Sequence, residues 1–156
     1  MPLFGERKPS PFVKTKFEET QAQFSPDVRW IAFISNESGR DEVYVSSFPT
    51  AGGKVRVSTD GGVQPRWRRD GKELFYLSPA RKLMAVPIQA GSTLEVGAPQ
   101  ALFDVPFSPI GTGSGVWARY GYDATADGQR FLVNAPLESA TVPITVVLNW
   151  TAGLKK

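Results

Sequence analysis

The residues Phe24-Ser25-Pro26-Asp27-Val28-Arg29-Trp30-Ile31-Ala32-Phe33 join an aspartate-led turn to a run of apolar and aromatic side chains. The phrase recurs as Trp67-Arg68-Arg69-Asp70-Gly71-Lys72-Glu73-Leu74-Phe75-Tyr76 and as Ala124-Thr125-Ala126-Asp127-Gly128-Gln129-Arg130-Phe131-Leu132-Val133. The three aspartates are separated by 43 and then by 57 positions. We interpret the longer spacing as one period plus an insertion of 14 residues, for which the loop-like stretch 108–115 is the candidate.

This spacing and the composition both favour an all-β fold. A period of about 40 to 45 residues made of short strands is typical of a β-propeller blade. The chain is 41% hydrophobic and 12% aromatic, and its 15 Gly and 13 Pro are spread along it, as expected for short strands joined by frequent turns. We therefore predict a β-propeller with about three four-stranded blades.

The predicted strands divide the chain as a single propeller segment. Residues 1–20 hold an orphan strand from a preceding blade, near Ser10–Thr15, and residues 107–118 are a loop insertion. Residues 21–60 and 61–106 are two blades, and residues 119–156 are a blade that lacks its last strand. The remaining strands are expected near Gln21–Ser25, Arg29–Ser35, Glu42–Phe48, Lys54–Ser58, Val63–Trp67, Lys72–Ser78, Lys82–Ile88, Gln100–Val105, Arg119–Ala124, Gln129–Asn134 and Pro143–Trp150.

The strand count indicates a partial ring. Known propellers have roughly four to eight blades, so three blades cannot close alone. Two apolar blade faces are then expected to be exposed, and either a longer protein or a homo-oligomer would complete the ring. This prediction is tested by light scattering, in which a well-behaved monomer at micromolar concentration would contradict it.

The absence of His and Cys limits the chemistry. Without imidazole or thiolate, Ser-His-Asp, Cys-His and zinc-hydrolase mechanisms are excluded. We expect no enzymatic activity, no cofactor and no metal site. No apolar stretch approaches the roughly 20 residues of a membrane-spanning helix and no signal peptide is seen, so membrane insertion is not expected and the compartment stays open.

The repeated aspartates Asp27, Asp70 and Asp127 suggest carboxylates for catalysis or metal binding, but turn chemistry explains them better. Aspartate accepts hydrogen bonds from nearby amides, and Gly71 and Gly128 supply the positive φ that other residues resist. Val28 takes the glycine position in the first copy, so that turn either has another shape or stores strain.

The run Arg66-Trp67-Arg68-Arg69 interleaves basic and aromatic residues, as some nucleic-acid surfaces do, in a chain of net charge +3. The interpretation we favour is structural: Trp67 is a core aromatic of the repeat and the arginines decorate the strand end. No nucleic-acid partner is expected.

The quoted repeats resemble TolB-like β-propeller repeats, relatives of the WD-repeat propellers, whose marker is Phe-Ser-Pro-Asp-Gly followed by an apolar strand. Residues 64–76 and the ending 144–150 further resemble the C-terminal part of propellers attached to bacterial serine/threonine protein kinases. The resemblance implies an interaction, sensor or accessory role, and it leaves an extracytoplasmic location open. No kinase motif is present in the sequence.

Two functions are compatible with these patterns. The first is a non-enzymatic module that binds a protein or peptide through loop residues. The candidate contacts are Arg40, Arg66, Arg68, Arg69, Arg81 and Trp117, the last within the insertion 108–117. The alternative is an accessory fragment of a bacterial protein kinase or of a prolyl-oligopeptidase-type hydrolase, with no activity of its own.

Overall fold

The computed structural model describes residues 9–91, 93–106 and 120–134 of the chain. In these ranges the protein is all-β, built from antiparallel sheets and without a helix. The strands are β1 Glu19–Phe24, β2 Trp30–Ser35, β3 Glu42–Ser47, β4 Val55–Arg56, β5 Val63–Trp67, β6 Glu73–Leu77, β7 Lys82–Ala90, β8 Leu94–Val96, β9 Gln100–Asp104, β10 Tyr122–Ala124 and β11 Phe131–Val133. The predicted insertion 107–118, with Trp117, and the predicted strand Pro143–Trp150 lie outside the described residues.

The first sheet is a four-stranded antiparallel meander in the order β1-β2-β3-β4. Its central strand β2 reads Trp-Ile-Ala-Phe-Ile-Ser and is buried along its whole length. A strand covered on both faces does not alternate between apolar and polar residues, which explains the continuous apolar run. Both faces of β2 are therefore covered by other parts of the chain.

The second sheet has the order β5-β6-β7, with β9 pairing with the first half of β7 and β8 with its last residues. Strand β8 lies between the predicted strands Lys82–Ile88 and Gln100–Val105, where no strand was predicted. It forms because β7 extends to Ala90 and offers Ile88–Ala90 as a pairing edge. A third, two-stranded sheet pairs β10 with β11.

The three sheets pack face to face in chain order. Alternate residues of β2 and β6 make the first interface, where Trp30, Ala32, Leu74 and Tyr76 belong to one buried cluster. The other face of β6 packs Phe75 and Leu77 against the β10–β11 pair. Because side chains alternate across a strand, β6 supplies both interfaces.

The N-terminal segment differs from the predicted orphan strand. Residues 9–18 form no strand, and Phe12 and Val13 instead pack on the outer face of the first sheet. That face carries Ile31, Phe33 and Tyr44, which are all buried. The expectation that both outer sheet faces are exposed is therefore wrong for this face. No helix in the described part of the chain is long and apolar enough to cross a bilayer.

Candidate functional site: a cleft at the edge of the aspartate turns

The three aspartate turns have one backbone geometry. The N–H of Val28, Gly71 and Gly128 donates to the carbonyl three residues earlier, at 2.8 to 2.9 Å. The same three residues have φ values of 58°, 72° and 69°. Turns β1–β2, β5–β6 and β10–β11 are therefore copies of one hairpin.

Each aspartate holds its turn through the same two kinds of hydrogen bond. Its Oδ1 accepts the backbone N–H two residues later, that of Arg29, Lys72 or Gln129, at 3.0 to 3.1 Å. It also accepts a side-chain donor two residues earlier, namely the Ser25 hydroxyl, the Arg68 guanidinium or the Thr125 hydroxyl. The aspartates thus act within the turns, as turn chemistry predicts.

These hydrogen bonds favour the ionised aspartates. The Ser25 hydroxyl lowers the pKa of Asp27, and the Arg68 guanidinium lowers the pKa of Asp70. Asp127 has a pKa lowered in the same way by the Thr125 hydroxyl. All three are carboxylates at neutral pH, and the Oδ1 atom of each accepts hydrogen bonds within its own turn.

Val28 shows which of the two expectations for the first turn is right. The turn does not have another shape, because Val28 takes the same positive φ as the two glycines. A β-branched residue in this region is strained by roughly 1 to 2 kcal/mol. The first turn therefore stores strain that the repeated hydrogen bonds sustain.

A second repeated feature links the sheets. Gln21 and Gln64, 43 positions apart, both have positive φ at register shifts in β1 and β5. The N–H of Gln64 donates to Oε1 of Gln21 at 2.7 Å, and the N–H of Gly121 donates to Oε1 of Gln64 at 2.6 Å. Each glutamine thus reaches the equivalent position of the next repeat and sets how adjacent sheets pack.

A cleft of about 950 Å³ opens where the first two aspartate turns face each other. We call it the turn-edge cleft. It is lined by the indoles of Trp30 and Trp67, by the turn residues Ser25–Asp27 and Arg69–Lys72, and by residues 87–91 at the end of β7. Arg29 ties one wall to the other, since its Nη2 donates to the carbonyl of Gly91 at 2.6 Å.

The two indoles in the cleft differ in their hydrogen bonding. Trp67 donates from Nε1 to the carbonyl of Gln23 at 3.3 Å and is half-buried. Trp30 is 6% exposed, and its buried Nε1 has no acceptor among the residues the structure describes. An unpaired buried donor costs about 1 to 3 kcal/mol, so Trp30 has unused hydrogen-bonding capacity beside the cleft.

Only one of the arginines named from the sequence lines the cleft. Arg69 is exposed there and, within the described ranges, takes part in no ion pair. Arg68 is bound to Asp70 and Glu73 at 2.7 to 2.9 Å, and Arg66 lies over the Tyr120 ring at 4.0 Å. Both therefore serve contacts within the protein, in agreement with the structural interpretation of this run.

The other two arginines lie at the opposite edge, formed by the β2–β3 turn, the β6–β7 turn and the connection 57–62. There Arg40 donates from Nε to the buried Glu42 carboxylate at 2.8 Å and from Nη2 to the carbonyl of Thr59 at 2.7 Å. Arg81 is exposed in the β6–β7 turn. The structure thus does not bring the six predicted contacts together, and Trp117 lies outside the described residues.

Sequence reasoning missed several residues of the cleft. Lys72 is exposed at the rim beside Arg69, and Trp30 was treated only as part of a strand. Both tryptophans line the cleft although Trp30 follows the first turn and Trp67 precedes the second. The repeat spacing of Gln21 and Gln64 was a readable signal, since both lie six residues before the repeated aspartate.

Within the parts of the chain described here, no group of three or more acidic residues is arranged to hold a metal ion. No model of a known protein family matches the sequence, and no curated protein matches it significantly.

Proposed function

We propose that the chain is a segment of a TolB-like β-propeller and acts as a non-enzymatic module that binds a peptide or a segment of another protein. The proposal is supported by the repeated aspartate turn, by the glutamine links between neighbouring sheets, and by the stacking of antiparallel sheets in chain order. Radial repetition of such sheets is the architecture of propellers.

The turn-edge cleft is the observation that carries this function. Its volume of about 950 Å³ falls within the range of roughly 300 to 1,000 Å³ found for ligand sites. Half-buried Trp67 supplies aromatic surface, with nearly buried Trp30 behind it in the cleft lining, and tryptophan and arginine are enriched at the energetically dominant positions of protein interfaces. Arg69 and Lys72 add charge at the rim.

A second candidate function is an accessory segment of a bacterial protein kinase or a prolyl-oligopeptidase-type hydrolase. Its support is the resemblance of residues 64–76 to kinase-attached propellers. These residues form most of β5, the second aspartate turn and most of β6. Trp67 and the turn residues Arg69–Lys72 line the cleft. An accessory segment and a peptide-binding module are compatible in one protein.

Selection of peptides from a random phage library on the immobilised chain tests the proposal. The decisive variant is Gln89→Trp, which places a bulky ring at an exposed position that lines the cleft. Arg56→Trp is the matched control, because Arg56 is exposed on β4 and does not line the cleft.

We expect selected peptides to bind the native chain and Arg56→Trp alike and to lose at least about tenfold in affinity for Gln89→Trp. Circular dichroism and thermal melting check that both variants fold. Failure to select any peptide, or equal binding to both folded variants, would contradict the proposal.

A further inference from the structure

Resting on the proposed function, we infer that the turn-edge cleft recognises a peptide carboxylate next to an apolar side chain. The inference follows from counting the hydrogen-bonding groups around the cleft. The two carboxylates at its rim are engaged in their own turns, whereas two cationic side chains there form no ion pair with a described residue.

The acidic groups at the cleft are engaged in their own turns. Asp70 accepts two hydrogen bonds from Arg68 and one from the N–H of Lys72. Asp27 accepts hydrogen bonds from the Ser25 hydroxyl and the N–H of Arg29. A cationic ligand would meet Arg69 and Lys72 at the rim, and the Oδ1 atom of each aspartate already accepts two hydrogen bonds, so the cleft is poorly suited to a lysine or arginine side chain.

The cationic donors at the rim differ from the carboxylates in this respect. Lys72 and Arg69 are exposed at the rim, and neither forms an ion pair with any residue that the structure describes. The indole Nε1 of Trp30 is shielded from water and lacks an acceptor within the same ranges. A ligand that brings acceptor oxygens would pair with Lys72 and Arg69, whereas the Trp30 Nε1 is too buried to be reached without a local movement of the residues that cover it.

The walls add a requirement for apolar surface. Trp67, Pro26, Pro87 and Ile88 line the cleft together with Trp30. A carboxylate attached to an apolar or aromatic residue would satisfy both the walls and the rim. Either a peptide C-terminus or an aspartate or glutamate side chain provides this chemistry.

The charge pattern favours a peptide carboxylate over a nucleic acid. A polyphosphate chain needs a continuous basic stripe. Here Asp27 and Asp70 lie at the rim as carboxylates between the cations, because hydrogen bonds lower the pKa of each. One isolated negative charge fits beside Lys72, whereas a chain of phosphates would also meet the two aspartates.

Four short peptides form the test, with binding followed by the indole signals in two-dimensional ¹H–¹⁵N NMR. Acetyl-Gly-Phe as the free acid is compared with its amide, and acetyl-Phe-Asp amide is compared with acetyl-Phe-Asn amide. The first pair reports on a C-terminal carboxylate and the second on a side-chain carboxylate. The signal of Trp30 is assigned with the variant Trp30→Phe.

We expect at least one carboxylate peptide to bind about fivefold more tightly than its neutral counterpart and to shift the Trp30 indole signal. Lys72→Gln should abolish that preference, whereas the control Arg56→Gln should keep it. Arg56 is an exposed cation outside the cleft.

Three results would overturn the inference: equal binding of acid and neutral peptides, a preference that survives Lys72→Gln, or tighter binding of an oligothymidylate. Absence of binding by all four peptides would overturn it as well. If phage-selected peptides still bind in a manner sensitive to Gln89→Trp, the proposed function stands and only the carboxylate assignment fails.

Discussion

At the turn edge, Arg69 and Lys72 are exposed beside a cleft of about 950 Å³, and the acidic residues are tied to their own turns. At the opposite edge, Arg40 binds buried Glu42 next to a cavity of only about 100 Å³. Arg81 is exposed at that edge as well, but it does not line the cavity. The turn edge thus combines space with cations that have no ion-pair partner among the described residues, whereas at the opposite edge Arg40 and Glu42 are used in contacts within the protein.

The difference comes from where each carboxylate lies. Glu42 is fully buried and accepts hydrogen bonds from Arg40, from the Ser58 hydroxyl and from the N–H of Gly61. Its charge also contributes, after burial, to raising the pKa of Tyr76 to about 12. The opposite edge is therefore expected to be important for stability, and the turn edge for binding.

The largest expected effect is that of Glu42→Ala at the opposite edge. The change leaves buried donors without an acceptor, and we expect it to lower the free energy of unfolding by about 3 kcal/mol. Urea denaturation measures the loss. The control Glu95→Ala, at an exposed position on β8, should change stability by less than about 0.5 kcal/mol. Similar losses for the two variants would remove the contrast between the edges.

A smaller effect is expected from glycine substitutions in two of the turns. A Cβ at Gly128 would lie 2.7 Å from Cδ of Arg68 and 3.0 Å from Cζ of Phe75, whereas at Gly71 it meets only Cδ of Pro26 at 3.8 Å. Gly128→Ala should cost about 2 to 3 kcal/mol and Gly71→Ala about 1 kcal/mol, because both also acquire positive-φ strain. Urea denaturation of both variants should give this order, and the reverse order would show that the two turns are not packed as described.

Val28→Gly should have the opposite sign. It removes the strain of a β-branched residue at a φ of 58°, and the greater freedom of glycine in the unfolded chain offsets part of the gain. We expect a net stabilisation of about 0.5 to 1 kcal/mol in thermal or urea unfolding. A loss of stability would mean that the Val28 side chain, although exposed, makes contacts that outweigh its strain.

The smallest expected effect is the pH dependence of the turn aspartates. Asp27 and Asp70 have a lower pKa in the folded chain than the value of about 3.9 in the unfolded chain, so their stabilisation is complete above that value. It is lost as pH falls through the folded pKa. In Asp70→Asn, the free energy of unfolding should fall less on acidification than in the native chain. The difference should be only a few tenths of a kcal/mol, because the group is exposed.

An unchanged acid limb in Asp70→Asn would contradict this account of the turn. Asp41 acts in the opposite sense, because burial and then Glu18 raise its pKa. The stability of Asp70→Asn is therefore compared with that of the native chain at each pH. Both proteins contain Asp41, so its contribution cancels in the difference.

Most strands of the first two sheets could be predicted from the sequence, because turn-forming residues mark their boundaries. Aspartate turns precede β2 and β6, and the turn-forming stretches 36–41 and 78–81 follow them, so both strands end within one residue of their predicted limits. Strand β8 was missed because Leu94–Val96 is only three residues long and pairs with an extension of β7. The apolar residues Phe12 and Val13 resemble a strand, but they cover a sheet face without pairing.

The cleft could not be predicted because it depends on how two sheets pack. Trp30 and Trp67 occupy different positions within their repeats, so the repeat alone does not place them together. Whether Arg69 and Lys72 find an ion-pair partner also depends on tertiary contacts. The nearby carboxylate of Asp70 already accepts hydrogen bonds from the Arg68 guanidinium and from the backbone N–H of Lys72. By contrast, the turn roles of the aspartates followed from local residues and needed no tertiary information.

A crystal structure of the chain with a phage-selected peptide tests the central claim most directly. The account predicts density for the peptide over Trp30 and Trp67, between the first two aspartate turns, with an acceptor group facing Lys72. Density at the opposite edge, beside Arg40 and Arg81, would contradict the assignment of binding to the turn edge.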